Sequence, residues 1–344
     1  MSSLTDRQKK ILYAVVHEFL QHKVPVSSKR ILGITNLQCS SATVRNELQF
    51  LEEEGFIFQP HTSSGRIPSD TGLRFYVECL KEMGSSPGSA PADLELLPRL
   101  HFGSMEELLK NFSVFLSHLV RGLAVVERPF FDKLEIRKIS ITPILLNYWS
   151  VVIITNMGLA ENFVFFMDQD FPAREMEEFL SEKLQGLPLE EVRKMYEKIQ
   201  LPKQSWYNSG YDQLIVFLEK VVHQSMKKRF LKFGFENLVR DDSIPLDSLK
   251  RCLPILENES VLTTLMDDLQ LEGSRTVNIG RELRRDELLD FSIFFHGYFA
   301  GDIPIGRIAV FTSKMTDYFG NLKNLEYVSN RLTEYMTRIS HFSQ

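Results

Sequence analysis

The chain has 344 residues, of which 43% are apolar, so it is too long for one typical domain and can bury more than one core. Its net charge of −5 excludes a uniformly basic nucleic-acid-binding chain, and its three scattered cysteines exclude a disulfide framework. No apolar run reaches the roughly 18 residues of a membrane span, and the polar N-terminus lacks the apolar core of a signal peptide. We therefore expect a cytoplasmic protein of two or three domains with no membrane contact.

Residues 1–83 predict three short helices, two short strands and a fourth helix. Apolar residues recur at helical spacing from Ile11 to Phe19 and define the first helix. Ser27 is placed to cap a second helix, and "SSATVRNELQFLEEEG" predicts a third. The run "FIFQP" then predicts a strand, "RIP" predicts its return, and Asp70 is placed to cap the fourth helix.

A stretch of Gly, Ser, Pro and Ala, "GSSPGSAPAD", predicts a linker over 84–100. Beyond it, 104–126 predicts a helix, and "LEIRKISIT", "YWSVVIITN" and "NFVFFMD" predict strands. Residues 172–270 have a mostly helical pattern. Strands return at "RTVNIG", "FSIFFHGY" and "IGRIAVFTS", and a last helix follows. Strands on both sides of a helical stretch indicate one α+β domain interrupted by an insertion.

The third predicted helix presents two faces of different chemistry. Val44, Leu48 and Leu51 share an apolar face, and a polar face lies beside it. Arginine forms paired hydrogen bonds to guanine, asparagine and glutamine form them to adenine, and free N–H groups at a helix start attract phosphate. A helix inserted into a major groove has this arrangement, although an ordinary solvated helix face is the commoner explanation for any single helix. The predicted DNA contacts are Ser40, Ser41, Ala42, Thr43, Arg45, Asn46 and Gln49.

The stretch "QPHTSSGRIPSDTG" predicts a hairpin directly after this helix. Three helices followed by a hairpin form a winged helix, whose wing tip lies over the DNA backbone or minor groove. A wing tip favours small residues that approach closely, hydroxyl groups that bond phosphate, and a cation. The predicted wing contacts are His61, Thr62, Ser63, Ser64, Gly65 and Arg66.

These motifs resemble a known family. "SSATVRN", "QPHTSSGRIP" and "RFYV" are similar to the bacterial heat-inducible transcription repressor family HrcA, most closely over residues 5–80. The similarity continues more loosely through "RPFFDKL", "IGREL" and "IPIGRIAVFTSKM". The resemblance implies a repressor of chaperone operons in the heat-shock response. It also implies a homodimer that binds an inverted-repeat operator in double-stranded DNA and depends on the GroEL chaperonin for activity.

The resemblance also implies a domain arrangement that agrees with the predicted order of strands and helices. It places an N-terminal winged helix-turn-helix domain before the linker and a GAF-like α/β domain after it. A mostly helical, dimerising insertion interrupts the GAF-like domain. The predicted boundaries are 1–83 for the winged helix, 84–100 for the linker, 101–168 and 251–344 for the GAF-like domain, and 169–250 for the insertion.

Other classes of function have weaker support. The sequence lacks the nucleotide-binding, hydrolase and zinc-protease motifs, and its eight histidines and three cysteines have no metal-ligand spacing. We therefore expect no enzyme activity, no cofactor and no metal. The RNA-binding aromatic signature is also absent. The alternative that stays open is a ligand-gated winged-helix regulator that senses a small molecule through the GAF-like domain, since "ITNMGLAENFVFF" and "FHGYFAGDIPIGRIAVF" contain residues suited to line a pocket.

Overall fold

The computed structural model describes residues 4–35, 39–60, 65–83, 104–130, 133–166, 173–188, 190–191, 194, 229–271 and 276–341. In these parts of the chain helices are combined with antiparallel strands, which confirms the predicted α+β class. The predicted linker and residues 195–228 of the predicted insertion lie outside the described residues.

The N-terminal unit, residues 4–83, contains three helices, a two-stranded antiparallel hairpin and a fourth helix. The first three helices each begin after a hydroxyl residue, Thr5, Ser27 or Ser40. Each of these side chains accepts a hydrogen bond from the backbone N–H three residues further on. The elements are α1 (Asp6–His22), α2 (Ser28–Ile34), α3 (Ser41–Glu53), β1 (Ile57–Phe58), β2 (Ile67–Pro68) and α4 (Asp70–Glu82).

One apolar core holds this unit together. The apolar face of α1, which includes Ile11 and Val15, is buried in the same cluster as Val44 and Leu51 of α3. Each fully buried aliphatic side chain stabilises the fold by about 1.5–3 kcal/mol relative to leaving it exposed. The predicted apolar face of the third helix is thus its buried face.

The rest of the chain is built on a five-stranded antiparallel sheet that lies between two layers of helices. The elements are α5 (Met105–Val120), β3 (Leu123–Glu127), β7 (Phe230–Phe233), α7 (Phe235–Val239), α8 (Leu246–Glu257), α9 (Glu259–Leu271), β8 (Val277–Ile279), β9 (Phe291–Ala300), β10 (Ile303–Ser313) and α10 (Tyr318–His341). The spatial order of the strands is β7-β3-β10-β9-β8. Helices α5 and α10 pack on one face of the sheet, and α8 and α9 cover the other.

A separate three-stranded antiparallel sheet lies between β3 and β7 in the sequence. Its elements and the helix that packs on it are β4 (Ile136–Leu145), β5 (Tyr148–Thr155), β6 (Ala160–Phe166) and α6 (Ala173–Leu184). The strands have the order β4-β5-β6 and, within the described residues, pair with one another and not with the five-stranded sheet. Val151 and Phe163 pack against Leu180 and Leu184 of α6.

Two strands of the five-stranded sheet differ from the sequence-based expectation. The helix predicted over 104–126 ends at Val120, where Arg121 adopts a left-handed conformation with φ of 48°, and strand β3 follows. Strand β7 lies within the stretch predicted to be mostly helical. All five side chains of β3 are buried between two layers of helices, so its residues do not alternate between apolar and polar. A short apolar run of this kind cannot be told from part of a buried helix by its pattern.

Candidate nucleic-acid interface

Helix α3 begins at a well-formed cap. The Ser40 hydroxyl oxygen accepts a hydrogen bond from the Thr43 backbone N–H at 3.1 Å, and the two hydroxyl groups lie 2.9 Å apart. Ser40 is exposed, and Ser41 and Thr43 are half-buried. The start of α3 therefore places hydroxyl groups and backbone N–H groups at the surface, where the helix dipole favours an anion.

The predicted polar face of α3 is exposed along its length. Ala42, Arg45, Asn46 and Gln49 are all exposed, on the side of the helix away from its buried face. The Gln49 amide donates to the Glu53 carboxylate at 3.0 Å, whereas Arg45 and Asn46 make no side-chain hydrogen bond with any residue that the structure describes. Both side chains are thus available to an external partner.

A polar clamp that the sequence did not predict holds α3 against α1. The Glu47 carboxylate is 9% exposed and accepts hydrogen bonds from Arg7 Nε at 2.7 Å and Gln8 Nε2 at 3.0 Å. Gln8 is itself fixed, because its side-chain oxygen accepts from the Thr5 backbone N–H at 2.8 Å. Charge-assisted bonds of this kind are stronger than neutral ones, so the clamp fixes the rotation of α3 about its axis.

The base of the hairpin is joined to the start of α2. Arg66 and Val26 exchange two backbone hydrogen bonds, of 2.9 and 2.8 Å. At Gly65 a Cβ atom would lie 2.5 Å from the Val26 backbone, so only glycine permits this approach. The predicted contacts His61, Thr62, Ser63 and Ser64 lie outside the described residues.

Arg66 is already paired within the protein. Its guanidinium Nη2 lies 2.8 Å from Glu52 Oε2, and the two side chains are 19% and 32% exposed. A groove of about 640 Å³ between α2, α3 and the hairpin is lined by this pair together with Arg45 and Gln49. Any phosphate that Arg66 contacts must share the guanidinium with Glu52 or displace the carboxylate.

The described residues contain neither a candidate metal site nor a helix that could cross a membrane. The residues that the structure describes contain no group of three or more histidine, cysteine, aspartate or glutamate side chains that could hold a metal ion. None of the helices over the same residues has the length and apolar character needed to cross a membrane.

Comparison with known proteins shows the family to which the chain is similar. Residues 106–320 match the family described as "HrcA protein C terminal domain". A heat-inducible transcription repressor HrcA from Thermotoga sp. (strain RQ2) is 36% identical over 340 residues, covering 99% of this chain and 96% of the relative. The corresponding repressor from Symbiobacterium thermophilum is 30% identical over 338 residues, covering 96% and 98%. A crystal structure of a hypothetical protein at 2.2 Å resolution is 34% identical, with a TM-score of 0.68 over 98% of this chain and 100% of that one.

Relatives named transcription repressors match this chain over nearly its full length, which places it in a class of transcription regulators rather than enzymes. These matches cover both the N-terminal unit and the sheet-containing remainder of the chain. The chain belongs to the HrcA family of heat-inducible transcription repressors.

Proposed function

We propose that this chain represses chaperone operons by binding, as a homodimer, to an inverted-repeat operator. The exposed pair Arg45 and Asn46 on the clamped helix α3 is the observation that carries the proposal. Arginine at a base edge selects guanine, and asparagine selects adenine. The names of the relatives, which are heat-inducible transcription repressors, support a role in the heat-shock response.

In this proposal the N-terminal unit is a winged helix and α3 is its recognition helix. Arg45, Asn46 and Gln49 contact base edges, and Ala42 allows close approach to the groove. Ser40, Ser41 and Thr43 contact phosphate at the start of α3. The wing, with His61, Thr62, Ser63, Ser64, Gly65 and Arg66, lies over the neighbouring backbone.

The five-stranded sheet is proposed to be the GAF-like domain, and the dimerising insertion lies within it. Strand pairing favours an insertion from about residue 131 to 228 over the predicted 169–250, because β7 pairs with β3 and β4–β6 form their own sheet. The two ends of that stretch are adjacent, since the Arg128 backbone N–H donates to the Arg229 carbonyl at 2.8 Å. Buried Glu127 contributes to the junction by pairing with both Arg229 and Arg307.

The repressor is proposed to act in the cytoplasm, where the GroEL chaperonin controls how much of it is active. The test of the DNA-binding proposal is a titration of the full chain on three labelled duplexes: an inverted repeat, one half-site, and a scrambled sequence. We expect the inverted repeat to bind two chains, and to bind them much more tightly than the other duplexes. Equal affinity for the inverted repeat and the scrambled duplex would rule out operator recognition.

A second proposal is a regulator gated by a small molecule. A cleft of about 400 Å³ lies between the start of β4 and the turn that joins β9 to β10. Its lining includes Lys133, Arg137, Asn156 and Asp302. This volume is in the range of small-molecule sites. A metabolite that raises the melting temperature and changes operator affinity would favour this proposal. Substituting Arg137 should then abolish both effects.

A further inference from the structure

Helix α4 of the N-terminal unit is fastened to strand β8 and to the turn that directly follows it. Arg74 Nε donates to Glu282 Oε1 at 2.7 Å, and its Nη2 pairs with the other carboxylate oxygen. The same Nη2 donates to the Val277 carbonyl at 2.6 Å. The Arg74 and Glu282 side chains are 13% and 18% exposed, so this bidentate pair is largely shielded from water. Burial opposes the Arg74 charge, but the hydrogen bonds and charge of Glu282 outweigh it and raise the Arg74 pKa.

A second fastening lies one helical turn earlier on α4. The Asp70 carboxylate accepts from the Arg281 backbone N–H at 3.0 Å and lies 3.5 Å from Lys314 Nζ. Gly280 has a φ of +51°, and a Cβ atom there would lie 2.4 Å from Asp70 Oδ2. This backbone conformation favours glycine, and a side chain at this position would displace the Asp70 carboxylate.

Both fastenings lie on α4. They join it to the residues from Val277 to Glu282 and to Lys314 in the sheet-containing part of the chain. The N-terminal unit is thus held at two points along one helix.

The fastening leaves the reading face uncovered. Arg45 and Asn46 are exposed while Arg74 and Asp70 are engaged, so the contact does not act by masking the recognition helix. Besides the predicted linker, residues 84–100, the contacts of α4 join the N-terminal unit to the rest of the chain.

We propose that Asp70, Arg74, Gly280 and Glu282 form a rigid joint that sets the orientation of the DNA-binding unit, and thereby the half-site spacing that the dimer accepts. This inference rests on the proposed function, because it concerns a dimer on an inverted repeat. The four residues are positioning residues and make no contact with DNA. A joint that holds both recognition helices in place allows the second half-site to bind without a further loss of orientational freedom.

The test is to measure the affinity of the full chain for inverted repeats whose central spacer is lengthened or shortened one base pair at a time. The wild-type chain should have a sharp optimum. Arg74→Ala should bind the optimal operator about tenfold less tightly and have a flat spacer profile, since only part of the tethering gain is lost. Its affinity for a single half-site should stay unchanged. Arg251→Ala is the matched control, because it removes an arginine outside the proposed insertion whose side chain is 47% exposed and contacts Asp247 and Ser248 of its own helix.

Each outcome bears on the joint. An unaltered spacer profile in Arg74→Ala overturns the inference, and so does tighter operator binding, which would indicate autoinhibition. If Arg74→Ala also loses half-site binding, the more conservative Glu282→Gln decides, and a sharp profile in that variant overturns the joint. A wild-type chain that does not distinguish the inverted repeat from scrambled DNA would instead defeat the proposed function itself.

Discussion

Replacing Arg45 with alanine should remove base recognition without disturbing the fold. The side chain is exposed on α3 and bonds to no described residue, so its loss leaves no buried group unpaired. Alanine is a good helix former, and we expect the free energy of unfolding to change by less than about 0.5 kcal/mol. Any larger effect on DNA binding can then be assigned to the interface.

The expected loss follows from the contact that Arg45 is positioned to make. A bidentate bond to guanine contributes roughly 1–3 kcal/mol of discrimination per half-site, so a dimer on two half-sites should lose roughly 2–6 kcal/mol. That range corresponds to a loss of affinity on the order of 30-fold to 10⁴-fold. The loss should be confined to operators that carry the preferred base at the position that Arg45 contacts.

The assay is fluorescence anisotropy with a set of operators in which each half-site position is substituted in turn. The wild-type chain should lose affinity at one position that Arg45→Ala no longer distinguishes. Arg251→Ala again serves as the control for the loss of one positive charge. Should Arg45→Ala weaken operator and random DNA equally, and also lower the salt dependence, Arg45 would be a phosphate contact and the assignment of base reading would be refuted.

Three further predictions concern the hairpin, the dimer and the core. Arg66→Ala should weaken binding to every duplex and lower the slope of log affinity against log salt by about one unit, and an unchanged slope would place the wing outside the interface. A 1–83 fragment should be monomeric by sedimentation and bind the operator about 10²–10⁴-fold less tightly than the full chain, and full affinity would contradict dimerisation beyond residue 83. The Cys252 thiol is buried and its pKa is raised to about 12, so an alkylating reagent at pH 8 should label it only after unfolding.

The sequence predicted the faces of α3 correctly because the helix packs on one side only. Val44, Leu48 and Leu51 are buried, whereas Arg45, Asn46 and Gln49 are exposed, as helical spacing requires. The cap at Ser40 could also be predicted, since a hydroxyl group at that position bonds a backbone N–H only three residues away. Both features depend on local geometry, and local geometry is what a single sequence specifies best.

The features that the sequence did not predict all depend on distant partners. Glu47 is buried because Arg7 and Gln8 bond to it from α1, 40 and 39 residues away. The partner of Arg74 is 208 residues away, and nothing in the local pattern of α4 distinguishes Arg74 from a solvated arginine. The end of the helix predicted over 104–126 is instead strand β3, whose pairing partners, β7 and β10, come from distant parts of the chain.

The same distant pairings motivate the last prediction, that active repressor depends on a chaperonin. Val126 of β3 pairs with Leu231 of β7 and with Ile308 of β10, partners about 105 and 180 residues away along the chain. The sheet can form only after these long loops close, so folding should be slow. Until then, apolar strands such as β9 and β10 stay exposed and prone to associate.

A chaperonin binds such intermediates and releases chains that go on to fold, so its supply should determine how much repressor can bind DNA. Unfolded proteins produced by heat shock should compete for the chaperonin. We then expect the amount of active repressor to fall and the chaperone operons to be derepressed. Operator DNA should act in the opposite direction, because a ligand that binds only the native state raises the fraction of folded repressor. The measurement is the operator-competent fraction of repressor refolded from denaturant, alone, with GroEL and ATP, and with an added unfolded competitor. We expect the chaperonin to raise that fraction and the competitor to lower it. A repressor that refolds to full operator binding alone, and is unaffected by either addition, would exclude this mechanism and leave a direct thermal or ligand switch in its place.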